Sequence, residues 1–186
     1  MYIVNKTKKE QELINIAVKI IDCFDSENVV LGGSLALSQY GIRKRRESND
    51  IDIVFLNGED VSYYYLVHRI KKIGFDVDVD NSKLHEEKCD SYTDNVISIL
   101  LKNGLKIDFL FTDNYNYHLI NGISCSPIQD ILMAKYSYMC TNSKHAKDLY
   151  YMFHKNPLLA ESILKRFYEK IKTTFNEERV CNNTNY

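Results

Sequence analysis

Apolar residues recur at three- and four-residue steps between residues 8 and 24, through Leu13, Ile14, Ala17, Val18, Ile21 and Phe24, and predict an amphipathic helix. Asn28 to Leu31 is too short and too β-branched to prolong it and reads as a first buried strand. Gly32-Gly33-Ser34 breaks the run, with Ser34 the expected N-cap of a short helix, LALSQY, that Gly41 ends. Over residues 50–56, Ile51, Ile53 and Phe55 alternate with Asp50, Asp52 and Val54, the period of a strand with one face buried, and Asn57-Gly58 closes it. Helical spacing returns over 60–73 through Val61, Tyr64, Tyr65, Val67 and Ile70, and Gly74 stops it before a strand, FDVDV. The polar stretch from Asp80 to Asp94 reads as loop or short helix.

NVISILLKNGLKIDFLF predicts a β-hairpin, with Asn103-Gly104 supplying the positive φ angles of a tight turn. Its second strand carries Leu105, Ile107, Phe109 and Phe111 on one face and Lys106, Asp108 and Leu110 on the other. After a loop to Pro127 come three helical patterns, IQDILMAKYSYM, KHAKDLYYMF and LLAESILKRFYEKI, and a tail expected to fray. Strands in the middle, helices at both ends and an adjacent hairpin predict an α/β (α+β) fold with a mixed sheet and a C-terminal helical segment. The expected division is a core over residues 1–125 and a helical region over 126–186 packed on it.

Composition narrows the setting. At 186 residues the chain can bury one substantial core, and a net charge of -1 supplies no general field for nucleic acid or membrane. Five scattered cysteines without a Cys-x-x-Cys pair suit a reducing compartment. The polar first residues are no signal peptide and no apolar run reaches membrane-helix length, so a cytoplasmic protein with no membrane partner is expected.

The candidate chemistry lies between residues 29 and 55. Residues two apart on a strand project from the same face about 6.5–7 Å apart, so Asp50 and Asp52 point together, away from the face that Ile51 and Ile53 bury. Each carboxylate raises the other's pKa unless a cation lies between them. Oxygen-only sites of this kind suit Mg²⁺, or Mn²⁺, bound together with substrate phosphates. Gly32 and Gly33 leave room for close approach, and Ser34 opens a helix whose free N–H groups can face a triphosphate. Asp108 joins the pair if its strand lies beside residues 50–56, and carboxylates around two metals are a recurrent device for in-line attack on phosphorus.

LGGSLALSQYG, an arginine, then SNDIDIVF resembles the signature of the nucleotidyltransferase superfamily that shares its catalytic core with DNA polymerase beta. Within that superfamily the chain is most similar to abortive-infection-type toxin nucleotidyltransferases, and more loosely to lincosamide-type antibiotic nucleotidyltransferases. The resemblance is strongest over 29–56, extends to KIDFLF, and touches Lys135 and KHAKDLYYM, where Tyr151 stands in place of a second aspartate. It implies that Asp50, Asp52 and Asp108 are catalytic and hold two Mg²⁺ ions. Gly32, Gly33, Ser34, Arg46, Ser48 and Lys135 would bind an NTP. The implied reaction is transfer of a nucleoside monophosphate with loss of pyrophosphate. The implied acceptors are tRNA or another RNA, with an antitoxin protein as partner; alternatively an antibiotic, or a protein. A non-catalytic nucleotide-binding module is the reading of another class.

Other residues carry plainer expectations. Arg43, Lys44, Arg45 and Arg46 are either a solvated turn or a phosphate contact. Lys147 and Asp148 read as an exposed charge pair, and GFDVDVD as a solvated face. The histidines lack metal-ligand spacing, His85 with Cys89 included. Tyr40, near the glycine turn, is a candidate lining residue for a nucleotide pocket, and Lys135 is expected to point inward.

Overall fold

The protein is described by a computed structural model covering residues 6–24, 27–42, 44–56, 61–88, 93–113, 115–138, 143–162 and 165, with the backbone alone of 83–88, 93–95 and 143. The predicted Asn57-Gly58 turn, Arg43, His85 and Cys89 lie outside the described side chains.

The first helix, α1 (Lys8–Asp22), is capped by Thr7, whose side chain accepts from the Glu10 N–H, and it buries Leu13, Ile14, Ala17 and Ile20. Strand β1 (Val29–Leu31) is wholly buried, and α2 (Gly33–Gln39) follows it. The N-cap of α2 is Gly32; Ser34 sits inside the first turn and is not the cap that its side chain predicts. Strand β2 (Asp50–Leu56) alternates partly exposed and buried positions as expected, and α3 (Tyr63–Lys72) starts at Ser62, whose hydroxyl accepts from the Tyr65 N–H.

The polar stretch after Asp80 is a correction. Strand β3 (Val77–Lys88) runs through it and pairs antiparallel with β4 (Thr93–Leu101), with an irregularity between Asp78 and Lys83. Pairing along a neighbour satisfies backbone groups whatever the side chains are, so a polar sequence on an edge strand gives no hydrophobic signal. Strand β5 (Lys106–Thr112) completes the predicted hairpin. Only Gly104 takes a positive φ there, +83°, and the Leu101 N–H donates to Leu105 O at 2.9 Å, a three-residue loop rather than a two-residue turn. A second hairpin, β6 (His118–Ile120) and β7 (Ile123–Cys125), occupies the segment expected to be loop. Its turn, Asn121-Gly122, has φ of 53° and 79°, the pattern that this dipeptide favours. Helices α4 (Ile128–Ser137) and α5 (Ser143–Lys155) follow, and residues 157–162 are again helical.

The sheet has the order β3-β4-β5-β2-β1-β7-β6 and is mixed: β2 runs parallel to β5, β1 parallel to β7, and the other pairs are antiparallel. Its buried face carries Ile51, Ile53, Phe55, Ile107 and Phe109 in one core with the apolar stripes of α1 and α3. Phe24 meets Phe55 and Phe109 edge-on at centroid distances of 5.1 and 6.1 Å, and burying one such ring contributes about 2–3 kcal/mol. The opposite face of β2 and β5 is left for the site. No helix among the described residues is long and apolar enough to cross a membrane.

Candidate active site

Alternation on β2 and β5 places the polar residues together. In the parallel pairing Asp50 stands opposite Lys106, and Asp52 opposite Asp108, strands about 4.8 Å apart. The three carboxylates expected from the sequence thus share one face at adjacent positions. Across the antiparallel neighbour, Ser98 stands opposite Asp108. The Ser98 hydroxyl donates to Asp108 Oδ1 at 2.5 Å, and Lys106 Nζ lies 2.6 Å from Asp108 Oδ2.

The glycine turn is built against this face. The Gly32 N–H donates to the Asp52 carbonyl at 2.8 Å. Gly33 has φ +53°, and a Cβ there would lie 1.7 Å from Asp52 Oδ2. Glycine at 33 therefore makes room for the Asp52 carboxylate, and not only for a ligand. On the other side, β1 pairs with β7 through Leu31 and Cys125, and the Ser126 N–H donates to Leu31 O at 2.9 Å. This brings Pro127, the N-cap of α4, beside the glycine turn. Two turns along α4, Lys135 is buried and its Nζ lies 3.5 Å from Ser34 Oγ, the inward orientation that its apolar neighbours predict.

Between sheet and helices lies a cavity of about 650 Å³ lined by Gly33, Ser34, Arg46, Asp50, Asp52, Asp108 and Lys135, with Lys106, Asp130, Lys144 and His145 also at its wall. Its floor continues over Val54, Leu56, Val96 and Leu110. That volume suits a small-molecule or cofactor site. Burial, then the charges of Asp50 and Asp108, push the Asp52 carboxyl up to about 7, against the pull of Lys135 and Lys106. Burial works against the Lys106 charge, but its hydrogen bond to Asp108 and the Asp108, Asp50 and Asp52 charges outweigh that and hold it above the usual lysine range. His145 is pushed down by burial and by Lys135, which favours the neutral ring, and its Nδ1 is buried with no hydrogen-bond partner.

Three predicted residues sit outside this wall. Ser48 is buried, with Lys44 Nζ donating to its hydroxyl at 2.9 Å and its own N–H 3.4 Å from Glu10 Oε1. Glu10 also pairs with Lys44, whose ammonium is pushed below its ordinary range by burial, with Glu10 opposing. Ser48 thus closes a buried polar cluster under the basic loop. Gly32 is buried under the turn and does not line the cavity. Tyr40 also lies outside: its hydroxyl donates to Ser126 O at 3.0 Å and lies 2.9 Å from His118 Nδ1, pinning the β6/β7 hairpin to α2.

Asp148 corrects a further expectation. It is buried on α5, accepts from Arg45 Nε at 2.9 Å and has Oδ2 3.6 Å from Arg46 Nε. A carboxylate distant in sequence thereby holds the basic loop at the mouth of the cavity, and only Lys147 of the predicted pair is exposed. Ser98, Lys106, Asp130 and His145 carried no functional signal in the sequence beyond, for Lys106, its place on the polar face of the strand.

The chain superposes on the antibiotic-resistance factor ANT(2'')-Ia over 91% of its own length and 98% of that chain, with a TM-score of 0.52 and 15% identity. The likeness is one of fold: a seven-stranded mixed sheet flanked by helices, consistent with a nucleotidyltransferase core. JHP933 from Helicobacter pylori matches with a TM-score of 0.42 at 19% identity, over 70% of this chain; the chain spans 57% of that protein's length. A Thermotoga maritima protein assigned as a nucleotidyltransferase matches at 0.45 and 18% identity, covering 86% and 94% of the two chains. No protein-family description and no curated protein matches the sequence.

The carboxylate face also bears on metal. Asp50, Asp52 and Asp108 offer only hard oxygen donors, and a divalent cation would offset both the burial and the mutual repulsion that raise Asp52. The donor set fits Mg²⁺ or Mn²⁺. Asp108 is at the same time engaged by Ser98 and Lys106.

Proposed function

We propose that this protein transfers a nucleoside monophosphate from an NTP to an acceptor hydroxyl within the cavity between the sheet and α4. The observation that carries the reading is the register of β2 and β5, which sets Asp108 beside Asp52 on the face that also bears Asp50. In the reaction the acceptor oxygen bonds to the α-phosphorus, the bond from that phosphorus to the β-phosphate bridge breaks, and pyrophosphate leaves with the electron pair.

Asp50 and Asp52, joined by Asp108, would hold Mg²⁺. Bound there, the ion supplies neutralisation of triphosphate charge and a lowered pKa for the acceptor hydroxyl. Lys135 and Ser34, 3.5 Å apart on the cavity wall, bind the β- and γ-phosphates, and Lys135 offsets charge on the departing pyrophosphate. Arg46, steadied by Asp148, reaches the same phosphates from the mouth. Asp108 accepts the hydroxyl proton. Placement and charge neutralisation of this kind supply most of the rate enhancement in phosphoryl chemistry.

For the acceptor we favour RNA, in keeping with an abortive-infection-type toxin and its antitoxin partner. Beyond the three carboxylates assigned to metal, Asp130 is the one acidic residue on the described cavity wall, against Arg46, Lys106, Lys135 and Lys144. That balance suits an anionic acceptor better than a polycationic antibiotic. The test is label transfer from each α-³²P-NTP, with Mg²⁺ or Mn²⁺, into RNA, protein and small-molecule fractions of an extract, wild type beside Asp52→Asn. Label in RNA that disappears in the variant supports the reading. Label in the small-molecule fraction turns it to drug modification, and no label in any fraction overturns transfer. In cells, RNA modification predicts growth arrest that Asp52→Asn relieves; resistance without arrest points to an antibiotic.

A further inference from the structure

Lys106 stands opposite Asp50 in the β2 and β5 register, two residues before Asp108 on the same strand face. Its Nζ lies 2.6 Å from Asp108 Oδ2, while Ser98 Oγ, 2.5 Å away, takes Oδ1. Both oxygens of the third carboxylate are therefore engaged by side chains. Ser98 is buried, and its hydroxyl is a neutral donor that can coexist with a cation on the other oxygen. The Lys106 ammonium cannot, because it is itself the cation on that oxygen. The Lys106 side chain is 43% exposed and that of Asp108 9%. A long, half-exposed side chain can swing toward solvent at little cost, whereas the buried carboxylate cannot turn away.

We propose that Lys106 is an internal counter-ion of the carboxylate face, occupying Asp108 Oδ2 in the ion-free protein, and that it must leave that oxygen before a divalent cation can bridge Asp108 to Asp52. The proposal rests on the metal-dependent reading given above. Without a metal, three carboxylates at adjacent positions repel one another, and Lys106 supplies the one nearby positive charge that the strand itself can provide. Lys106 is thus a positioning residue: it sets the affinity for the ion and takes no part in bond making. When displaced, its ammonium remains at the cavity wall, within reach of an anionic substrate group.

The test is Mn²⁺ binding followed by electron paramagnetic resonance without nucleotide, on wild type, Lys106→Met, Lys106→Gln, Lys106→Arg and Asp108→Asn. Removing the competing charge should tighten Mn²⁺ binding about tenfold in the Met and Gln variants, the scale on which a nearby like charge acts. The Arg variant should bind as weakly as wild type, since it restores the charge. Unchanged or weaker binding in folded Met and Gln variants, alongside measurable wild-type binding lost in Asp108→Asn, overturns the counter-ion role and leaves the metal reading standing. Absence of Mn²⁺ binding in wild type and every variant overturns both. A second measurement needs no variant: in the wild-type protein the Lys106 Nζ proton resonance should be protected from exchange without Mg²⁺ and lose that protection as Mg²⁺ saturates. A resonance that Mg²⁺ leaves unmoved overturns the proposal.

Discussion

Gly33 lies so close beneath Asp52 that a Cβ on the glycine would come within 1.7 Å of the carboxylate oxygen Oδ2. The glycine also holds φ at +53°, where a residue with a Cβ pays about 1–2 kcal/mol. Gly33→Ala should therefore push Asp52 off its place and lower the unfolding midpoint at once. The check is urea unfolding beside Mn²⁺ affinity. Full stability with intact ion binding would show that the turn yields more easily than its packing indicates.

The raised Asp52 carboxyl carries a pH prediction. Its value is near 3.8 in the unfolded chain and about 7 in the folded protein, so between those values the folded state binds the additional proton. Stability then rises as pH falls from about 7 toward 4 and is lower above 7, on the order of 2 kcal/mol after relaxation of the site. Asp52→Asn should flatten that slope and stabilise the ion-free protein at pH 8. Chemical denaturation across pH, without divalent ions, reads the effect directly.

Asp148 holds Arg45 at 2.9 Å and faces Arg46 at 3.6 Å. In Asp148→Ala those guanidinium groups lose their shared anion but, each more than a third exposed, stay solvated, so the cost to stability is small, about 0–1 kcal/mol. Arg46 should then wander from the cavity mouth, raising the KM for NTP several-fold more than it lowers kcat. Kinetics with the labelled nucleotide separates the two, and equal changes in both would argue against an effect confined to binding.

Glu10 pairs with Lys44 and lies within reach of the Ser38 hydroxyl and the Ser48 N–H. Glu10→Ala should destabilise by about 3–5 kcal/mol because it strands the half-buried Lys44 ammonium. Replacing both by Met should recover most of that loss, because no buried charge remains. Thermal unfolding of Glu10→Met, Lys44→Met and the double variant closes the cycle.

Local pattern determined much of this protein. Alternation over 50–56 and 105–111 assigned the buried and polar faces of β2 and β5, and three-to-four spacing placed α1, α3, α4 and α5 within a few residues of their observed ends. These are short-range effects: a side chain's face follows from the period of its own element. The Asn121-Gly122 turn was written in the sequence too, yet its flanking strands of three residues each are too short to show a period. Tertiary structure alone decided the rest. Whether β5 lies beside β2, and in which register, depends on pairing residues 56 apart in the chain, such as Asp52 and Asp108, and a shift of one would have put Asp108 in the core. The partners of Asp148 and Glu10 were likewise set only by packing, since a charge shows in the sequence while a counter-charge from a distant element is chosen only when the two elements meet.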